Sequence, residues 1–266
     1  MHRDLPETPK DWRIPFVWFA RRGLRCVYAG GSDLQTPAMP RQTITLSNDT
    51  PTRERIERLL AQDALLVFEA CDLGGADLSR LNLQDCVFSH CAVAETGFYA
   101  ANLARTRWRR CRGGHADFES ADLVDAGFEA CDLNNAGWRR AKLASCTFRG
   151  CKLTGASFEE VGQLGLSFED CLLVGADLRR MSFRKATLKA LDFADADLSG
   201  CDFRDAVFEG GSLREAHIKD ARFEQAHLRE ADLGGLKLAN AKLFAGAVIS
   251  TRQAAELVRA MGLNVA

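Results

Sequence analysis

Long apolar runs are missing from this 266-residue chain, and without a stretch of about 18 such residues no helix would span a bilayer. Net charge is nearly absent as well. Thirty-five Lys and Arg stand against 36 Asp and Glu, a formal charge of −1, which removes any bulk attraction to nucleic acid or an anionic membrane. The sequence has no phosphate-cradling glycine loop, no HExxH helix and no GxSxG elbow. The N-terminus, MHRDLPETPKDW, lacks the charged-then-apolar order of an export signal, so a cytoplasmic protein is expected. Cysteine, by contrast, is plentiful at ten residues, yet no CxxC pair occurs to suggest a metal site.

What is present is a repeat. Stepping by five from Phe68 to Val248 visits 37 positions, and 30 of them are Leu or Phe. The exceptions are Val93, Trp108, Gly113, Trp138, Gln163, Ile218 and Val248. Two residues before each centre sits a small residue, Ala in 17 cases and Cys in nine. A period of five matches neither a helical stripe near 3.6 residues nor the simple alternation of a strand. Within a pentad, however, the small residue and the centre are two apart, so an extended backbone turns both to one side. In Ala76-Asp77-Leu78-Ser79-Arg80, Ala76 and Leu78 would face in, while Asp77 and Arg80 face water. Short side, corner, short side, corner closes after four pentads, giving a coil of 20 residues.

The cysteines test that closure independently. Cys71, Cys91, Cys111, Cys131, Cys151 and Cys171 recur every twenty residues, as do Phe68, Phe88, Trp108, Phe128, Phe148 and Phe168. Each set should form an interior column, large rings on one wall and small thiols beside them. Nine of the ten cysteines share the small inward position with Ala, and only Cys26 lies outside the repeat. They read as buried packing groups of a reducing compartment rather than as disulfides or metal ligands. At about 4.8 Å per coil, some nine coils would give a rod about 45 Å long.

The run ACDLGGADLSRLNLQDC from Ala70 to Cys86, and LDFADADLSGCDF from Leu191 to Phe203, resemble the A-(D/N)-L-x-x signature of pentapeptide repeat proteins. The resemblance spans about 185 residues. It implies an all-β solenoid, a right-handed quadrilateral parallel β-helix, with short α-helical caps expected at both ends. It is most similar in kind to the gyrase-interacting, quinolone-resistance-like members, apart from an unusual N-terminal extension. That likeness implies a non-catalytic, DNA-mimic-like rod acting on DNA gyrase or topoisomerase IV. A general protein-binding scaffold or effector module, using the faces and the N-terminal extension, is the other reading.

The expected organisation is an extension over 1–50, a capping helix over 51–65, the repeat over 66–250 and a C-terminal helix over 251–266. The extension holds an aromatic cluster from Trp12 to Phe19 and two short β-like runs, Leu24–Tyr28 and Gln42–Leu46. Asn48-Asp49-Thr50-Pro51 reads as a helix start with Thr50 as N-cap. Ser250 reads as the N-cap of the last helix, with Gly262 ending it. Its apolar stripe, Ala254, Leu257, Val258 and Met261, either caps the rod or pairs two copies. Gly113 and Gln163 are weak rungs where irregular backbone is expected.

Charge along the repeat is banded. Six cations face eleven acids over 66–135, ten face five over 136–190, and seven face eleven over 191–250. Arg105, Arg107, Arg109, Arg110 and Arg112 bracket Trp108, which belongs to the inward column and cannot serve as a stacking platform. Direct nucleic-acid binding is therefore not expected. His90, His115, His217 and His227 fall at outward or corner positions, and acid pairs such as Glu159-Glu160 have no cleft on a convex rod. The chain reads as a non-enzyme without cofactor or metal.

Overall fold

A computed structural model describes residues 41–236, 241–260 and 262–265. The aromatic cluster Trp12–Phe19, the run Leu24–Tyr28, Cys26 and Met261 lie outside the described residues.

Each pentad bends for a local reason. Its last residue adopts left-handed backbone, as at Gly75 (φ 66°), Arg80 (φ 60°) and Asp85 (φ 67°), which turns the chain through the corner. The outward residue just before the centre is often Asp because its carboxylate accepts from the amide two residues on. Ser79 donates to Asp77 at 2.9 Å, and Ser199 to Asp197 at 3.0 Å. Four such bends make one turn.

One side of the coil is a nine-stranded parallel sheet in sequence order: β1 (Thr43–Ser47), β2 (Leu65–Glu69), β3 (Val87–Ser89), β4 (Arg107–Arg109), β5 (Gly127–Glu129), β6 (Thr147–Arg149), β7 (Ser167–Glu169), β8 (Thr187–Lys189) and β9 (Val207–Glu209). From β2 onward the partners are twenty residues apart, as in Phe68↔Phe88↔Trp108. The other three sides pair through single bridges at the same spacing, such as Asp72↔Ala92, Asp77↔Gly97 and Asn82↔Asn102. The result is a parallel β-solenoid of about eight turns with two short helices.

The ends are closed by other means. β1 adds a strand ahead of the first coil. Helix α1 (Arg53–Leu60) follows it and buries Ile56, with Leu59 and Leu60 packed against the core. Its N-cap is Thr52, whose hydroxyl accepts from the Arg55 amide, not Thr50; Asp49 instead accepts from the Thr50 amide. At the other end, α2 (Thr251–Ala260) starts with a reciprocal cap. Gln253 N–H donates to the Ser250 hydroxyl, and Ser250 N–H donates to Gln253 Oε1.

The five-residue register does not run unbroken to Val248. In the last coil Phe223 stacks on Phe244, 21 residues on, and His227 bridges Val248, also 21 on. A short 3₁₀ turn, Ala241–Phe244, accompanies the one-residue slip, so Phe244 and Ile249 replace Leu243 and Val248 as centres.

The weak rungs differ. Gly113 sits in regular backbone, its amide donating to Asp132 at 2.7 Å, because Val93 and Leu133 close over the missing side chain. Gln163 does interrupt the coil. Between Glu160–Leu166 and Arg179–Ala186 no backbone–backbone bond remains among the described residues, and Ser182 N–H donates instead to Gln163 Oε1 at 2.9 Å. The β7–β8 pairing shrinks to Glu169↔Lys189. Core packing changes at this seam. Before it, rings stack on two opposite walls, Phe68 to Phe168 and Phe98 to Phe158, meeting edge to face. After it, the continuous stack Phe183–Phe203–Phe223–Phe244 stands on the wall that held Leu83 to Leu143.

Candidate interaction surfaces

Among the described residues the interior is lined by apolar side chains and by thiols held in regular columns. Cys71, Cys91, Cys111, Cys131, Cys151 and Cys171 are buried in one column, and the rings of Phe68, Phe88, Trp108, Phe128, Phe148 and Phe168 stack in the next. Five of these thiols donate to the carbonyl 23 residues back or its equivalent beside β1: Cys91 to Phe68, Cys111 to Phe88, Cys151 to Phe128, Cys171 to Phe148, and Cys71 to Leu46. Burial pushes the Cys86 thiol up to about 11 and that of Cys201 up to about 12, so neither supplies a thiolate near neutral pH. Among the described residues no group of His, Cys, Asp and Glu is placed to hold a metal ion. No described helix is long and apolar enough to cross a membrane.

Among the described residues the solenoid presents four sides and two ends. Along β4 to β8 the outward charges alternate from coil to coil, Arg109, Glu129, Arg149, Glu169, Lys189. Ion pairs join Arg109–Glu129 (3.2 Å), Arg149–Glu169 (3.3 Å) and Lys189–Glu169 (3.6 Å). Similar pairs link Arg105 to Asp85, Arg139 to Glu159 and Lys142 to Asp122, and Arg140 to Glu119. Five of these seven pairs lie within a single charge band of the sequence and neutralise charge locally along the rows, while Lys142–Asp122 and Arg140–Glu119 join the basic band to the acidic one before it. The seam opens a cleft of about 570 Å³ between Val161 and Met181, rimmed by Arg179, Arg180 and Lys219, and leaves Leu164 84% exposed nearby.

At the C-terminal end Gln253 is buried and its amide donates to the Leu228 and Ala231 carbonyls at 2.7 Å each, closing the last coil. Leu257 packs against the core, and Ala254 and Val258 are half-buried. Sequence reasoning missed Gln253, since a polar residue in a helical stripe gives no sign of what it faces.

A regular four-sided coil with small and large residues on fixed walls defines the class: a repeat protein of the parallel β-solenoid type. The signature described as "Pentapeptide repeat region" matches residues 66–138 and 141–213, with further matches of the pentapeptide repeats over 121–159 and 193–236. The chain belongs to the pentapeptide repeat family. Among solved structures it is similar to a trypsin-treated variant of QnrB1, "a plasmid-mediated fluoroquinolone resistance protein", with TM-score 0.62 and 18% identity over 85% of this chain and 100% of that one. Full-length QnrB1 matches with TM-score 0.54 and 20% identity, over 84% and 99%. At that identity the likeness is one of fold. No curated protein sequence matches the chain at a significant level.

Proposed function

We propose that this chain is a non-catalytic, cytoplasmic protein-binding rod, and that its specific partner is a type II topoisomerase. DNA gyrase or topoisomerase IV would take it as a DNA-mimic-like body and be modulated by it or protected from inhibitors. The observation that carries this reading is the four-sided parallel solenoid, which is alike in fold to QnrB1 over nearly all of that protein's length. The buried, unpaired thiols suit a reducing compartment. Helix α2 supplies an end surface through Ala254, Leu257 and Val258, with Met261 completing the stripe in sequence, and a homodimer forms there. Light scattering on wild type and Leu257→Asp tests it: a dimer that the substitution splits supports the end-to-end arrangement, and a monomeric wild type contradicts it.

A second reading, a scaffold for other proteins, is favoured by the neutralising rows. A DNA mimic presents net acid to a basic saddle, whereas Arg109–Glu129 and Arg149–Glu169 cancel along the axis. A supercoiling assay separates the two. Inhibition, or relief of quinolone inhibition, at concentrations on the order of micromolar supports the topoisomerase reading. No effect there leaves the scaffold.

A further inference from the structure

The pentad 126–130 carries a single charged side chain, Glu129. Its outward positions are Gly127, Glu129 and the corner Ala130, and the next corner is Gly150. The coil before it carries Arg107, Arg109 and Arg110, and the coil after it Thr147 and Arg149. A trough of about 950 Å³ therefore crosses this side at right angles to the rod, floored by Gly127. It continues over Ala130 and Gly150 into a second hollow of about 270 Å³ lined by Arg110, Arg112 and Lys152.

The two ends of the trough differ in charge. At one end the Arg107 guanidinium donates to the backbone carbonyls of Asp125 (2.7 Å) and Thr106 (3.1 Å). In the middle, Arg109 and Arg149 are paired with Glu129 and Glu169. At the far corner Arg110, Arg112 and Lys152 form no ion pair among the described residues, and Asp132 is the one acid beside them. Arg109, Arg149 and Lys189 on this side are matched by acids one coil away, whereas Arg107 bonds only backbone carbonyls; Arg110, Arg112 and Lys152 set against the single Asp132 leave a local excess of positive charge at the mouth of the groove.

We propose that this trough binds an extended peptide segment of a partner protein, with two or more carboxylates at the Arg110–Arg112–Lys152 corner. The inference rests on the protein-binding reading and names the chemistry of a partner; it does not depend on the topoisomerase. The gap between the walls is two coil spacings, about 10 Å, which admits one extended chain. A helix is about 10–12 Å across with its side chains and does not fit between walls that carry side chains of their own. Charge complementarity selects an acidic sequence. A single-stranded nucleic acid would also bring negative charge, but Trp108 and Phe128 beneath the trough are buried and offer no ring for a base to stack on.

The test is fluorescence anisotropy of labelled octaglutamate on the full chain at low salt. Two variants accompany it: Arg110→Glu with Arg112→Glu, which reverses the corner, and Gly127→Leu, which fills the floor without altering charge. The atoms nearest a Cβ at Gly127 would be Thr147 Oγ1 at 3.4 Å and Arg107 Cδ and Nη1 at 3.6 and 3.8 Å, so the backbone admits a side chain there, and a melting curve verifies that Gly127→Leu is folded. Saturable binding that weakens about tenfold or more in both variants supports the proposal. It is overturned by absence of binding, by equal binding to Gly127→Leu, or by tighter binding of a dodecathymidine strand. A protein that alters supercoiling yet ignores the peptide loses the trough alone; the opposite result removes the topoisomerase alone.

Discussion

Two buried indoles show how finely the small inward position is tuned. Trp108 Nε1 donates to Thr106 Oγ1 at 2.9 Å, and that hydroxyl in turn donates to the Leu103 carbonyl at 2.7 Å. Trp138 has Ala136 at the equivalent place, and its Nε1 is buried without a partner. A buried donor left unmatched costs about 1–3 kcal/mol. Ala136→Ser should therefore raise stability by about 1 kcal/mol, read as a shift in the denaturant midpoint at constant slope; an unchanged or lower midpoint contradicts it. The carboxylates outside the corners act in the same local way. Arg179 beside Asp177 and Arg204 beside Asp202 hold those carboxyls below their ordinary value of 3.8, and the Gly234 amide does so for Asp232. Groups lowered in the folded state stabilise it in full above their unfolded pKa and lose that contribution as the pH falls through the lowered values. Melting temperatures should thus be flat with respect to these groups above about pH 5 and decline as acid is added below 3.8. A melting temperature that rises on acidification in that range would contradict the assignment.

At the scale of elements, two breaks in the repeat look alike on paper and have opposite consequences. Gly113 is compensated: a Cβ there would lie 2.8 Å from Val93 Cγ2 and 2.9 Å from Leu133 Cδ2. Gly113→Val restores the apolar pattern yet should destabilise by about 1–3 kcal/mol through overpacking. Gln163 is not compensated, and its side chain has left the core to bond Ser182. Gln163→Leu should stabilise by about 1–2 kcal/mol by returning an apolar centre to the wall. Denaturation of the two variants side by side checks both signs. Much of this fold was legible because a period of five permits one closed path, and the Cys and Phe columns at twenty fix its circumference. The slip in the last coil was hidden because Leu243-Phe244 and Val248-Ile249 each offer two adjacent apolar residues for one centre. The trough was hidden for another reason: Gly127 and Gly150 look ordinary in order along the chain and matter only when coils 20 apart lie side by side. Gln253, which ties α2 to the Leu228 and Ala231 carbonyls, was likewise invisible without its partners. Gln253→Leu, which strands both carbonyls, should cost about 2 kcal/mol and release the last helix first, seen as early loss of helical circular dichroism; a single coincident transition would contradict it.

For the whole molecule, the seam matters most. In a solenoid each coil contacts only its neighbours, so stability is close to a sum of coil terms and interface terms. Here one side of a coil interface, between Glu160–Leu166 and Arg179–Ala186, has lost its backbone ladder, while the flanking sides keep bonds such as Phe158 N–H to the Asp177 carbonyl and Asp170 N–H to the Lys189 carbonyl, and the core before and after it is built on different walls. The solenoid should behave as two cooperative blocks joined at a weak interface. Residue-resolved native-state hydrogen exchange tests this most directly. The amides of Gln163 and Gly165 should exchange orders of magnitude faster than those of Leu143 and Phe203, with 86–158 and 189–223 protected as two separate units. Uniform protection across the seam, or a single opening free energy for both halves, would contradict the account.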